Sequence, residues 1–247
     1  AVVVCTGFVG QTSDGRTTTL GRNGSDYTAT LLAGALRAEK VVINTDVDGV
    51  MTADPRIVQD AVPVAELTYM EALGLADYGT GMFHPRTFIP LIETNVPMYI
   101  RNSVGRPDAR GTRISSNRHQ QNAITGPKTP LKETVSRVPR KQRPTCVTSL
   151  EKLAMIEVVS RREQGALGNF HLGGKISKIL AGASVTVFME SQAAHGQSAV
   201  VLVDMKDLGR SKSMIEMELD AWFRSKDLNP IHVIKNVSML SVIHGNI

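Results

Sequence analysis

The constraint that most limits how this chain can fold is the order of patterns between residues 17 and 50. A turn-rich stretch, "TTTLGRNGSDYTAT", runs into alanine- and leucine-rich sequence and then into the apolar run "KVVINTDVDGV". From Asp26 the positions Leu31, Leu32, Ala35 and Leu36 share one helical face, and Ala33, Ala35 and Ala38 favour helix. The strand that follows is fully apolar and ends in an acidic, glycine-bearing turn. Strand, loop, helix, strand in this order predicts a crossover unit of an α/β fold with a parallel sheet.

Flanking segments extend the unit. Residues 1–10, "AVVVCTGFVG", read as a buried strand before a glycine turn, and "QTSDGR" as a hairpin connection. A helix is expected to begin near Thr68, where Glu71 completes a capping box and Ala72, Leu73, Leu75 and Ala76 bury one side. Pro85 in "HPRTFIPLIET" marks a first helical position, which makes His84 a helix-start residue rather than a catalyst. "VPMYIRNS" reads as a strand, and "GRPDARGTRIS" as a turn into a last short strand that closes the first unit, residues 1–115. Both chain ends are strand-like, as in the interior of a longer protein.

Residues 116–145 carry no sustained apolar period, and their basic run from Lys128 to Arg143 reads as a solvated linker. A second unit, 146–247, then opens with the strand "VTSLEKLAMIEVVS", the glycine-rich loop "GALGNFHLGG" and the short helix "KISKILAGA". Two strands, "SVTVFMESQ" and "SAVVLVDM", are joined by the turn "AAHGQ"; an amphipathic helix, "SKSMIEMELDAWFRSK", and a strand, "IHVIKNVSMLSVI", complete it. The order β-α-β-β-α-β fits a ferredoxin-like sandwich. The pattern leaves open whether the final strand instead begins a second copy of the module.

Composition narrows the function. A net charge of +5 owes much to the linker, and 4% aromatics leaves little for base stacking, so no nucleic-acid partner is expected. No apolar run approaches the ~20 residues that span a bilayer, and no membrane partner is expected. Cys5 and Cys146 stand far apart without metal-ligand spacing and read as free thiols of a reducing compartment; no protein metal site is expected.

Two motifs carry chemistry. In "LGRNGSD", Gly21 and Gly24 let the backbone turn and a ligand approach the main chain. Ser25 or Asp26 can cap the following helix, whose free N–H groups favour an anion, and Arg22 offers a planar fork for carboxylate or phosphate. A plain helix cap with a surface arginine accounts for the same residues. "NTDVDGVMTADPR" sits at the carboxyl end of the next strand, where open α/β sheets bind ligands, although an Asx-turn network also explains it.

"TTTLGRNGSDYTA", "TDVDGVMTADPR" and "HPRT" occur in the order and spacing of the aspartokinases, and through residues 1–115 the chain resembles that branch of the amino acid kinase family. The resemblance implies the C-terminal part of the amino acid kinase fold, a mainly parallel sheet with helices on both faces, followed by a ferredoxin-like α+β ACT regulatory domain. It implies aspartate kinase activity: phosphoryl transfer from ATP with Mg2+ to the side-chain carboxylate of L-aspartate, giving 4-phospho-L-aspartate for lysine, threonine and methionine synthesis. Carried over by position, Arg22 binds the substrate carboxylate and Asp26 organises phosphoryl transfer, with Ser25 beside them. Thr45, Asp46, Met51, Arg56, Gly81 and Met82 fall at nucleotide contacts, and Gln192 at the effector site. Asn23 is similar to the bifunctional aspartokinase–homoserine dehydrogenases, where single-function enzymes more often have glycine. The resemblance further implies a homo-oligomer paired through ACT domains, a feedback amino acid (threonine or lysine), and a cytoplasmic location, or a plastid in a plant or alga. Phe188 stands where lysine-sensitive members have aspartate, which favours threonine.

Two departures from the family bear on activity. The Lys-Phe-Gly-Gly segment that carries a phosphate-binding lysine is not in this sequence. "YGTGMFHP" stands where the family usually reads "FGAKVLHP", so Gly81 replaces a lysine near the nucleotide phosphates. The isolated chain is therefore expected to be inactive. Other amino acid kinases share the fold but not the "GRNGSD" and "HPRT" pair followed by an ACT unit. An amino-acid-sensing module with a degenerate kinase half is the competing reading from a different class.

Overall fold

The computed structural model describes residues 2–78, 81–105, 111–116, 144–161, 171–193 and 197–245. The basic run and most of the linker, the first part of the glycine-rich loop and the centre of the "AAHGQ" turn lie outside them. Contacts divide the chain into two compact units, Ala1–Thr148 with Leu240–Ile247, and Ser149–Met239.

The first unit opens with a small hairpin, β1 (Val9–Gln11) against β2 (Thr17–Thr19), antiparallel around the expected turn. The apolar run before it is not a buried strand: Val2, Val3 and Val4 are 82–93% exposed. A run of valines becomes a strand only where a neighbour takes up its N–H and C=O groups, and residues 2–7 belong to no ladder among the described residues. Helix α1 (Gly24–Ala35) leads to β3 (Val41–Thr45), and β4 (Glu66–Thr68) leads directly to α2 (Tyr69–Asp77). A 3-10 turn at Pro85–Thr87, helix α3 (Ile89–Thr94), β5 (Met98–Asn102) and β6 (Thr112–Ser115) follow. The four longer-range strands form one sheet in the order β3-β5-β6-β4. It is mixed: β3 runs parallel to β5 and β4 parallel to β6, with an antiparallel β5–β6 pair between them.

Helix α1 departs from the periodicity reading. Its buried positions are Gly24, Thr30, Ala33 and Gly34, while Leu31, Leu32, Ala35 and Leu36 are exposed. Small residues face inward because α1 packs closely on α3: a Cβ on Gly34 would lie 3.2 Å from the Pro90 carbonyl oxygen. Leucines on that face would hold the two helices apart. The core beneath is aliphatic and aromatic, with Leu67, Leu75, Phe88, Leu91, Met98, Ile100 and Ile114 all at or below 1% exposure. Tyr69 joins this core and donates to the Val96 carbonyl; burial pushes its hydroxyl up to about 12, against the opposing pull of Arg113.

The expected capping box is present. Thr68 accepts from the Glu71 N–H, and the Glu71 carboxylate accepts from the Thr68 N–H at 2.7 Å and its hydroxyl at 2.9 Å. Glu71 is only 2% exposed and also accepts from the Thr145 hydroxyl, so one buried carboxylate joins the start of α2 to the chain leaving the linker. The same stretch is tied to the loop after β3, where Val147 donates to the Thr52 carbonyl at 2.8 Å.

The second sheet contains β7 (Cys146–Val159), β8 (Val187–Gln192), β9 (Ser198–Asp204) and β10 (His232–Ile243) in the order β10-β7-β9-β8. The β7–β9 and β8–β9 pairs are antiparallel. With α4 (Leu172–Gly182) after β7 and α5 (Leu208–Glu218) and α6 (Asp220–Arg224) after β9, this is the ferredoxin-like order. The final strand lies beside β7 in this sheet. Alternate residues of β7, Ala154, Ile156 and Val158, meet Ile176, Leu180 and Ile215 in one core. Two details differ from the sequence reading: α4 begins at Leu172, inside the expected glycine loop, and the long helix after β9 is two helices. Leu219 leaves helical geometry at φ −108°, ψ 15° and buries its side chain, which breaks the run.

Replacing Glu71 with alanine removes the cap and leaves buried hydroxyl and N–H groups without their acceptor. It should cost about 2 to 4 kcal/mol, read as a lower urea midpoint for the first unit. An unchanged midpoint would show that the buried carboxylate does not stabilise the start of α2.

Candidate functional site

The turn before α1 is shaped by backbone constraint. Asn23 is the residue preceding the helix and lies in the left-handed region at φ 56°; it makes no side-chain cap hydrogen bond. The helix therefore starts at Gly24, and Ser25 and Asp26 lie inside its first turn, so neither is the cap. The left-handed residue delivers the chain into the helix two or three positions earlier than a cap at Ser25 or Asp26 predicts. Gly24 permits this close entry: a Cβ there would meet Phe8 Cδ2 and Leu20 Cβ at 2.9 Å each. Asp26 in the first turn has its charge at the favourable end of the helix dipole. Arg22 and Ser25 are exposed beside it.

A residue that sequence reasoning used only as a mark of lineage organises the turn. Asn23 Nδ2 donates to the Met82 carbonyl at 2.9 Å and to Asp26 Oδ2 at 3.4 Å. It brings the Arg22–Asp26 turn against the Gly81–Met82 segment, across a separation of 59 residues. The sequence signal was present, since asparagine is enriched in the left-handed region and "RNG" is a turn tripeptide; what it cannot show is where the carboxamide points. Gly81 is exposed at φ 57°, and a Cβ there would meet nothing within 4 Å. Met82 packs its side chain against the first core. His84 begins the 3-10 turn, its Nδ1 accepting from the Arg86 N–H at 3.2 Å, with Pro85 at the first position as expected.

The second motif sits at the carboxyl edge of the parallel pair. Register places Thr45 beside Asn102, so both strands end together. The Thr45 carbonyl accepts from the Ser103 N–H at 2.7 Å and its hydroxyl at 2.8 Å; Thr45 donates to Asp46 at 3.1 Å. Asn102 donates to Asp48 at 2.8 Å. Asp48, Asn102 and Ser103 were absent from the sequence reading, since only the β3–β5 register brings them to this edge. Met51 is half-buried and bridges to Pro63. Arg56 folds back on its own turn and grips Asp54 with Nε at 3.0 Å and Nη2 at 2.7 Å. That side-chain bond from Arg56 holds the Asp54 carboxyl below the usual carboxylate value.

In the second unit Gln192 ends β8 opposite Ala199. Its Oε1 and that of Glu190 stand over the first turn of α4, where a Cβ on Gly173 would come within 2.5 Å of both. Ser177 donates to Glu190. A carboxamide, a carboxylate and a helix N-terminus thus share one small space. Among the described residues no three His, Cys, Asp or Glu side chains gather as a metal site, and no helix is long and apolar enough to cross a membrane.

Comparison with known proteins agrees with this architecture. Residues 1–102 match the model of the amino acid kinase family. A bifunctional aspartokinase/homoserine dehydrogenase from Haemophilus influenzae is 34% identical over 98% of this chain, which spans 27% of that protein. Escherichia coli aspartokinase III, solved with aspartate and ADP in its R-state, superposes with a TM-score of 0.69 at 27% identity over 96% of this chain and 47% of that one. Its T-state, solved with lysine and aspartate, gives 0.66 at 28% identity, over 96% of this chain and 46% of that one. The chain thus spans about a quarter of the curated relative and about half of the solved enzyme. Residues 1–102 thus resemble the amino acid kinase family, and over nearly its whole length the chain is similar to aspartokinases.

Proposed function

We propose that the protein containing this chain is an aspartate kinase, transferring the γ-phosphoryl group of ATP to the side-chain carboxylate of L-aspartate. The observation that carries the reading is the joining of the Arg22–Asp26 turn to Gly81–Met82 through Asn23. The nucleophile is a carboxylate with pKa about 4, ionised at neutral pH, so no general base is required. A carboxylate oxygen forms the bond to the γ-phosphorus while the bond to the bridging oxygen breaks and ADP leaves. The protein's task is positioning and charge neutralisation. Arg22 binds a carboxylate of the substrate, Ser25 and the first turn of α1 line the anion's path, and Asp26 orders the transfer site. Thr45, Asp46 and Met51 contact the nucleotide at the sheet edge, as do Gly81 and Met82. Arg56 exchanges its exposed pair with Asp54 for nucleotide phosphate, a substitution that costs little because such surface pairs are weak. Mg2+ is commonly held by one or two carboxylates together with substrate phosphates, and Asp26 is suited to that part; the ion supplies charge neutralisation at the phosphates.

The second unit acts as an ACT-type sensor for a feedback amino acid, threonine or lysine, with threonine favoured by Phe188. A free amino acid carries both charges that the α4–β8 space suits: its carboxylate matches the helix N-terminus and its ammonium group matches Glu190, with Gln192 between them. Inhibition follows if the effector binds two states of a homo-oligomer differently. The enzyme is assigned to the cytoplasm, or to the plastid in a plant or alga. A sensor without kinase activity is the second reading, favoured only by Gly81.

Three outcomes test this in the full-length protein, with aspartyl phosphate trapped by hydroxylamine. Arg22→Ala should raise KM for aspartate by about 100-fold, with KM for ATP nearly unchanged, because a charge-assisted bidentate bond is lost; equal KM values for aspartate would remove Arg22 from the site. Gly81→Lys should lower KM for ATP severalfold, since the position has open space and its backbone strain is only about 1–2 kcal/mol. No change in KM for ATP would place the phosphates elsewhere. Gly173→Ala pushes against Gln192 and Glu190 and should weaken feedback inhibition about tenfold or more while leaving uninhibited turnover intact. Undiminished inhibition would exclude this space as the effector site.

A further inference from the structure

Asn23 has two possible reasons to be where it is. One is conformational: the residue before α1 needs φ 56°, and asparagine tolerates that better than most side chains. The other is chemical. Its Nδ2 carries two hydrogens, and each has an acceptor in the structure, the Met82 carbonyl at 2.9 Å and Asp26 Oδ2 at 3.4 Å. Glycine would satisfy the first requirement with less strain and neither hydrogen bond.

We infer that Asn23 is a positioning residue for phosphoryl transfer, acting through the carboxylate of Asp26 and the main chain at Met82. The inference rests on the aspartate kinase reading and assigns a role in it to a residue that touches neither substrate. Gly24 lies so close to Phe8 and Leu20 that a Cβ there would meet each at 2.9 Å, so the chain enters the helix directly after Asn23 with no room for a side chain at the next position. Met82 is partly buried and packs its side chain against the first core, which leaves its carbonyl free to accept from the carboxamide. The carboxamide spans from that carbonyl to Asp26 and sets the distance between the turn and the Gly81–Met82 segment. Its shorter bond goes to the Met82 main chain and its longer bond to Asp26, on the side of the reacting groups. Bonds at a catalytic group are often long without substrate and tighten in the working complex. Only Oδ2 of Asp26 is engaged in this way, and Oδ1 makes no hydrogen bond among the described residues.

The two reasons predict opposite rankings, so substitutions in the full-length protein separate them. Asn23→Gly keeps the left-handed backbone and deletes the carboxamide. Asn23→Asp keeps the shape, deletes the donor and sets a second carboxylate against Asp26. Asn23→Ala deletes the carboxamide and strains the backbone. A positioning role predicts that Asn23→Gly lowers kcat by about 10- to 100-fold with KM for aspartate within threefold and an unchanged thermal midpoint. Asn23→Asp should be slower still, although it is the closer isostere. Full kcat for Asn23→Gly, with loss of activity and a lower midpoint confined to Asn23→Ala, would overturn the inference and leave the kinase reading standing. Absence of aspartyl phosphate from the unsubstituted protein would overturn the kinase reading itself, and this role with it.

Discussion

The hydrogen bond from Asn23 to the Met82 carbonyl is the constraint on which the proposed catalytic half depends. It closes a 59-residue separation at one atom pair. On one side Gly24 lies close against Phe8 and Leu20, and on the other Met82 packs, partly buried, against the core that contains Phe83 and Phe88. The turn is thus bordered by close backbone packing on one side and apolar burial on the other. Arg22 and Ser25 are exposed beside it, as the proposed substrate contacts require.

The parallel β3–β5 register performs a similar service at the sheet edge. It ends two strands at one level, and the Thr45 carbonyl then takes both donors of Ser103. Polar groups from separate parts of the sequence gather there because the strands stop there. In the second unit, the polar space is made by a glycine. Gly173 lets the ends of Glu190 and Gln192 lie over the first turn of α4, in a unit whose core is otherwise apolar.

How much of this was legible in the sequence depended on the range of the interaction. The capping box at Thr68 and Glu71, the hairpin after β1 and the proline start at Pro85 are local, and local rules found them. The order of elements in the second unit was legible because alternation along β7 and β9 differs plainly from the spacing in α4. The burial face of α1 was not: which side of a helix is buried is decided by its neighbour, and here Pro90 selects glycine and alanine over leucine. The strand reading of residues 1–10 failed because strand formation needs a partner that pattern cannot supply. At the candidate site, the motif alone points to Arg22, Ser25 and Asp26, but the relation of their turn to Met82 runs through a side chain whose direction no spacing rule gives. Arg56 was named as a nucleotide contact and lies folded on Asp54, two residues away.

The central claim is that a substrate carboxylate, positioned without a general base, accepts the γ-phosphoryl group of ATP. Phosphorus NMR of the full-length protein with ATP, Mg2+ and L-aspartate tests it most directly. The account predicts an acyl phosphate resonance that grows in step with ADP and requires aspartate. Release of inorganic phosphate at the same rate with and without aspartate, or no consumption of ATP by a protein that still binds the feedback amino acid, would contradict it.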